Sequence, residues 1–248
     1  MNGSQRLIVA LDVPTHDEAI KLVDDLSNVA FFKVGLELLF AGSLYSLLER
    51  LRERRRGTGG IFVDLKLAGD IGNTVSALIK QSQHFGVQFI TLVESVPFAI
   101  TRATISAARN ARGVKPYPQL LMVPYLSSLG PDNLRETGVD EDVSSYIVRR
   151  GKKMLDVGCD GLIVSGEAIG ACRQQFGREL PIVSPGIRPE WASVDDHARA
   201  TTPTEAIALG ADYLVVGRPI RSDPQPRVAA QRVIDEIDQA LFEKSKNP

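Results

Sequence analysis

Cysteine is nearly absent: the 248 residues contain two, Cys159 and Cys172. That excludes a disulfide framework and fits a reducing compartment, with both thiols expected to be small buried groups. No apolar run approaches the roughly 18–20 residues that would span a bilayer. An excess of one charge is also missing. Lys and Arg total 29 against 30 Asp and Glu, a formal net charge of −1, so electrostatics give no reason to expect nucleic acid or an anionic membrane as partner. The N-terminus, MNGSQRLIVALDV, enters a strand-like run without the basic, apolar and cleavage regions of a secretory signal. These absences together describe a soluble, cytoplasmic protein. The three histidines, His16, His84 and His197, are scattered. There is no Walker loop, no GxGxxG after a strand and no GxSxG. Neither a metal nor an organic cofactor is called for.

What is present is a repeat of pattern rather than of sequence. Short aliphatic runs occur at Arg6–Asp12, Phe31–Gly35, Ile61–Lys66, Val87–Val93, Gln119–Val123, Asp160–Val164, Pro181–Ser184 and Asp212–Gly217. Near-continuous apolar runs of this kind belong to parallel strands buried on both faces. Helical stretches separate them. His16–Leu26 opens at Thr15 as a cap, with Asp17 and Glu18 in its first turn. Asn73–Phe85 closes at Gly86, Ser144–Val157 at Gly158, and Thr204–Leu209 lies between Thr202-Pro203 and Gly210. Val228–Phe242 has helical apolar spacing, and a short polar tail, about residues 243–248, follows it. Eight strands alternating with about eight helices predict a closed (β/α)₈ barrel in one domain, 1–248, with an open doubly wound sheet as the rival. The arginines at 52, 54, 55 and 56 follow an apolar helix face and read as its solvated C-terminal end. Trp191 falls in the loop after the seventh strand, where it can pack or touch ligand.

A barrel builds its active site on the C-terminal strand ends and the loops beyond them. Those positions collect Asp12, Lys33, Asp64, Lys66, Asp70, Ser127, Arg188, Gly217 and Arg218. Ions that end apolar strands are costly unless paired. A structural ion-pair network is one explanation. A functional one is that Lys33, Asp64, Lys66 and Asp70 alternate in sign on one rim. Asp64 and Lys66 are two apart on a strand and project to the same side. Carboxylates there favour charged lysine and lysines favour ionised aspartate, so the lysines are not primed as nucleophiles. They are primed to supply positive charge and a proton beside negative charge, which suits formation and protonation of a carbanion. The segments VSPGIRP (183–189) and VVGRPI (215–220) close strands seven and eight. There glycine lets backbone N–H groups approach an oxyanion, and Arg218 can fork onto phosphate.

Taken in order, LIVALDVPT, FFKVGLELL, FVDLKLAGDIGNT, PYLSS, VSPGIRPEWASVDDHARATTPTEAI and GADYLVVGRPI resemble the orotidine 5′-phosphate decarboxylase family from about Arg6 to Ile220. The resemblance implies a homodimeric (β/α)₈ barrel that converts orotidine 5′-monophosphate to uridine 5′-monophosphate and CO₂ in pyrimidine biosynthesis without a cofactor. It makes Lys66 the proton donor to C6 of the pyrimidine, with Lys33, Asp64 and Asp70 completing a charged tetrad. It sends Asp70, Ile71 and Thr74 into the partner subunit's site. It gives Asp12 to a ribose hydroxyl, Ser127 (or neighbouring Ser128) to the pyrimidine, and Arg188, Gly217 and Arg218 to the phosphate. The sequence departs from the family pattern in two places. Asp64-Leu-Lys66-Leu-Ala-Gly-Asp70 carries one residue more than the usual D-x-K-x-x-D, and Gly72 replaces a common proline. Gly69 is expected to let the chain bulge so that Asp70 still arrives. His197 stands where a glutamine usually links phosphate and pyrimidine, and neutral imidazole can donate one hydrogen bond and accept another. Two other readings remain. A sugar-phosphate synthase or decarboxylase of the same superfamily would usually carry glutamate at Lys33 and use magnesium. A nucleotide-binding pseudoenzyme would keep the phosphate loops and lack turnover.

Overall fold

The computed structural model describes residues 1–54, 59–67, 72–94, 98–192 and 200–246. Eight parallel strands close into a barrel in chain order. They are β1 (Leu7–Ala10), β2 (Phe31–Val34), β3 (Ile61–Leu67), β4 (Val87–Val93), β5 (Gln119–Val123), β6 (Gly161–Ile163), β7 (Ile182–Ser184) and β8 (Tyr213–Val216). Closure is made by β1 against β8, with Ile8 opposite Val215. The barrel, not the open sheet, is the fold. Its strands are largely buried on both faces, which is why they read as near-continuous apolar runs.

Alternation sorts the core into two layers. Ile8, Phe31, Phe62, Phe89, Leu121 and Val183 are among the inward side chains that fill the barrel. Phe89 stacks on Phe31 at 5.3 Å and meets Phe62 edge-on at 5.9 Å, so rings close the interior beneath the C-terminal mouth. The outward side chains, such as Leu7, Val9, Val63 and Leu214, pack under the helices. Both thiols are buried, and burial pushes each up to about 12. They are inert at neutral pH.

Helix ends follow local chemistry. Thr15 accepts from the Glu18 N–H to open His16–Asp25, and Thr202 with Glu205 forms a capping box ahead of Pro203–Leu209. Gly210 closes that helix at φ +107°. Several helix bounds shift by one or two residues, and the two chain termini differ most from the sequence reading. Asn2 and Gln5 form a capping box that folds Gly3–Arg6 into a short helix, so β1 starts at Leu7. At the other terminus the last helix runs Pro226–Lys246 through most of the expected polar tail. Lys244 holds it there by donating to the carbonyls of Ile207 (2.7 Å) and Ala208 (3.2 Å). Arg54 ends the helix Leu44–Arg54 and pairs with Asp24 at 3.0 Å; Arg55 and Arg56 lie outside the described residues. Among the described residues no helix is long and apolar enough to cross a membrane.

Candidate active site

The C-terminal mouth of the barrel opens into a cavity of about 280 Å³. Its floor is apolar, with Phe62, Val123, Ile163 and Val215 among the residues lining it. Charged side chains ring the wall. On the β1–β3 side, Lys33 lies between two carboxylates, 3.0 Å from Asp12 Oδ1 and 3.4 Å from Asp64 Oδ2. Lys66 Nζ sits 3.1 Å from both oxygens of Asp64. Lys33 and Asp64 are each only 9% exposed, so this is a partly desolvated network in which each charge has a partner of opposite sign. Gly35 completes it from outside. A Cβ there would lie 2.9 Å from Asp12 Oδ1 and 3.1 Å from Lys33 Nζ, so only glycine leaves the pair undisturbed.

Burial works to raise the Asp64 pKa, but the charges of Lys33 and Lys66 and hydrogen bonds from Thr91 and Lys66 overcome it. The carboxyl is held below its ordinary value of 3.8. A depressed carboxyl stabilises the fold at pH above its unfolded value, and that contribution is lost as pH falls through the lower folded value. Denaturant unfolding followed below pH ~4 is therefore expected to show a loss of stability as Asp64 takes up its proton below its ordinary value. In an Asp64→Asn variant that contribution to acid destabilisation is absent.

The backbone around Lys66 is unusual. Lys66 has φ +50°, the single non-glycine residue with positive φ among those described. Between the pairs Val63–Ile90 and Leu67–Leu92 the β3 chain takes four steps to two on β4, a bulge. A left-handed lysine costs on the order of 1–3 kcal/mol, and such strain recurs where a side chain has to be re-aimed. Simple strand alternation anticipated the Asp64–Lys66 contact; the bulge was not legible in it. Thr91 was also missed. It is fully buried on β4 and its hydroxyl donates to Asp64 Oδ1 at 2.7 Å. A hydroxyl in the apolar part of VQFITLV, after Gln88, was the available signal.

On the β7–β8 side Gly186, Arg188, Gly217 and Arg218 line the same cavity, joined by Arg221, which the sequence reading did not select. Arg188 is 5% exposed and donates to the Ile187 carbonyl at 2.9 Å. Its own N–H donates to Thr201 O at 2.9 Å, which ties the β7 loop to the start of the following helix. Arg218 opens the short helix Arg218–Arg221 with Gly217 as its cap residue. Between the charged arcs Ser127 lines the cavity, whereas Ser128 is exposed and does not. Trp191 packs under the Arg232 guanidinium, 4.1 Å from ring centroid, and stays out of the cavity. Thr74 is exposed and lies outside the cavity of its own chain. Asp70, Ile71 and His197 lie outside the described residues.

Residues 5–233 match the model of the orotidine 5′-phosphate decarboxylase / HUMPS family. The chain belongs to that family. Among its relatives, an orotidine 5′-phosphate decarboxylase of Methylococcus capsulatus is 41% identical over 236 residues, covering 94% of this chain and 92% of that one. One of Afipia carboxidovorans is 39% identical over 237 residues, covering 95% and 96%. Among solved structures, the orotidine 5′-phosphate decarboxylase of Lactobacillus acidophilus superposes with a TM-score of 0.76 at 28% identity, over 94% of this chain and 99% of that one. The family resemblance read from the motifs and the barrel read from the apolar runs therefore agree with these comparisons.

Proposed function

We propose that this protein decarboxylates orotidine 5′-monophosphate to uridine 5′-monophosphate and CO₂, as a cofactor-free step of pyrimidine biosynthesis. The observation that carries the reading is Lys66, whose Nζ is 3.1 Å from both oxygens of a buried carboxylate at the cavity wall. Loss of CO₂ leaves the bonding electron pair on C6 of the pyrimidine. The cationic wall formed by Lys66 and Lys33 stabilises that charge as it develops, which lowers the barrier without tightening substrate binding. Lys66 then delivers its proton to C6 and regains one from water. Asp64 aims Lys66 and Lys33, and Asp12 takes a ribose hydroxyl. Ser127 meets the pyrimidine, His197 bridges base and phosphate, and Arg188, Gly217 and Arg218 hold the phosphate.

We read the chain, 1–248, as one domain that works as a cytoplasmic homodimer, Asp70, Ile71 and Thr74 completing the partner's site. Two apolar side chains on the helix Leu36–Phe40 support a self-association surface near this rim: Leu36 is 47% and Phe40 87% exposed. The direct test of the activity is CO₂ release from carboxyl-labelled orotidine 5′-monophosphate with and without chelator. Release that chelator leaves unchanged is expected. Absence of both release and tight nucleotide binding would favour the magnesium-dependent sugar-phosphate branch, and tight nucleotide binding without release would favour a pseudoenzyme.

The phosphate assignment has its own expected result. Arg218→Ala weakens binding of uridine 5′-monophosphate by roughly 10- to 100-fold, the loss of one charge-assisted bond worth about 1.5–3 kcal/mol. Binding of uridine changes little. Calorimetric titration of both ligands checks it, and equal losses for the two would remove Arg218 from the phosphate site.

A further inference from the structure

The cavity wall divides by chain order into three arcs. β1 to β3 supply the carboxylates and ammonium groups, and the loops after β7 and β8 supply Arg188, Arg218 and Arg221. Between them the loops after β5 and β6 carry no charged side chain into the cavity, and there Ser127 and Ser165 line the wall. The reading above gives Ser127 a role. It gives Ser165 none.

Ser165 follows β6 (Gly161–Ile163) by two residues. Leu162 and Val164 belong to the outer core under the helices, whereas Ile163 belongs to the inner cluster. The same alternation turns Ser165 toward the barrel mouth. It is 2% exposed, and its Oγ is buried with no hydrogen-bond partner. Buried hydroxyls are nearly always paired, because a desolvated donor that pairs with nothing is destabilising. Here the side of the residue that faces no protein is the cavity. A serine hydroxyl has three staggered positions about χ1, so a rotation carries the oxygen round to a ligand without moving the backbone.

We propose that Ser165 is a specificity residue for the base, its hydroxyl donating a hydrogen bond to a carbonyl oxygen of the pyrimidine. The inference rests on the nucleotide reading above. The phosphate belongs with the guanidinium groups and the departing carboxylate with the lysine cluster. The remaining part of the ligand, an uncharged ring edged by carbonyl acceptors, is matched by the uncharged arc. Among the residues of that arc, Ser165 has a proton that no protein acceptor takes.

The test compares uridine 5′-monophosphate with ribose 5-phosphate, which keeps sugar and phosphate and lacks the base, on wild type, Ser165→Ala and the near-isosteric Ser165→Cys. Calorimetric titration is expected to show uridine 5′-monophosphate binding to Ser165→Ala about 3- to 10-fold more weakly, the size of one neutral hydrogen bond. Ribose 5-phosphate binding stays unchanged, and Ser165→Cys, a weak donor, falls between wild type and alanine. KM for orotidine 5′-monophosphate rises by a similar factor with kcat within about two-fold, the pattern of a contact made equally in ground and transition states. Tm does not fall, because the substitution removes an unpaired polar atom from the empty protein. Unchanged preference for the nucleotide over ribose 5-phosphate in Ser165→Ala would overturn the inference and leave the decarboxylase reading intact. Equal losses for both ligands, or a lowered Tm accompanying the loss, would overturn it in favour of a structural role. A wild-type protein that binds the two ligands equally would overturn the nucleotide reading itself, and this inference with it.

Discussion

Lys66→Ala is expected to abolish decarboxylation while leaving uridine 5′-monophosphate bound with nearly wild-type affinity. Lys66 is the proposed donor of the proton to C6 and lies within 3.1 Å of Asp64. An interaction that matters only as charge develops in the transition state contributes to kcat rather than to ground-state binding. General-acid catalysis alone is typically worth about 10²–10⁴-fold, and Lys66 is asked for electrostatic stabilisation besides, so the loss should be at least that large. The variant should still fold. Asp64 keeps Lys33 at 3.4 Å and the Thr91 hydroxyl at 2.7 Å, so its buried charge is not left alone. Steady-state turnover and calorimetric titration on one preparation check both halves. Retention of near wild-type turnover would remove the central assignment.

Asp70→Ala is expected to be as damaging, through a different subunit. If Asp70 crosses the dimer interface, it completes the partner's Lys33–Asp64–Lys66 cluster, and each site draws on two chains. Asp70→Ala and Lys66→Ala are then each nearly inactive alone, yet mixing them under conditions that exchange subunits restores activity. In a heterodimer one site collects both lesions and the other takes intact Lys66 from one chain and intact Asp70 from the other. Random pairing makes half the dimers heterodimers, so about a quarter of wild-type sites return, by the symmetry of a two-fold assembly. If Asp70 serves its own chain, every site in every mixed dimer keeps one lesion and nothing returns. Mass spectrometry that shows exchange without recovered activity would mean that the residue added before Asp70 has rerouted the segment, and the roles of Ile71 and Thr74 would fall with it.

The parts of this fold that were legible in the sequence are those set by periodicity and by local caps. Val87–Val93 and Gln119–Val123 read as strands to the residue, because burial on both faces leaves their runs mostly aliphatic and aromatic. Thr202-Pro203 and Gly210 marked a helix because each residue satisfies a specific need of a helix terminus. The Lys33–Asp64–Lys66 cluster was legible because a charged residue at the end of an apolar strand has few places to go other than the barrel mouth. Three features escaped, each for a physical reason. Thr91 looked like an ordinary β-branched strand residue, and its partner lies on another strand, 27 positions away. Lys66 adopts its left-handed conformation because of a register shift between β3 and β4, a tertiary property that no single-strand pattern encodes. Arg221 lies one turn beyond Arg218, and its place in the cavity follows from the short helix Arg218–Arg221, where the sequence reading ended the segment VVGRPI at Ile220.

The central claim is that this site forms and protonates a carbanion at C6, with Lys66 carrying the proton. Protonation run backwards removes the C6 proton of the product, so a site that performs the last step must also catalyse its reverse. Uridine 5′-monophosphate incubated with the protein in D₂O, followed by proton NMR, should lose its C6–H signal far faster than without protein and retain its other ring signal. Lys66→Ala, though it binds the nucleotide, should not accelerate the exchange. No acceleration by wild-type protein that is saturated with nucleotide, or exchange undiminished in Lys66→Ala, would contradict the account.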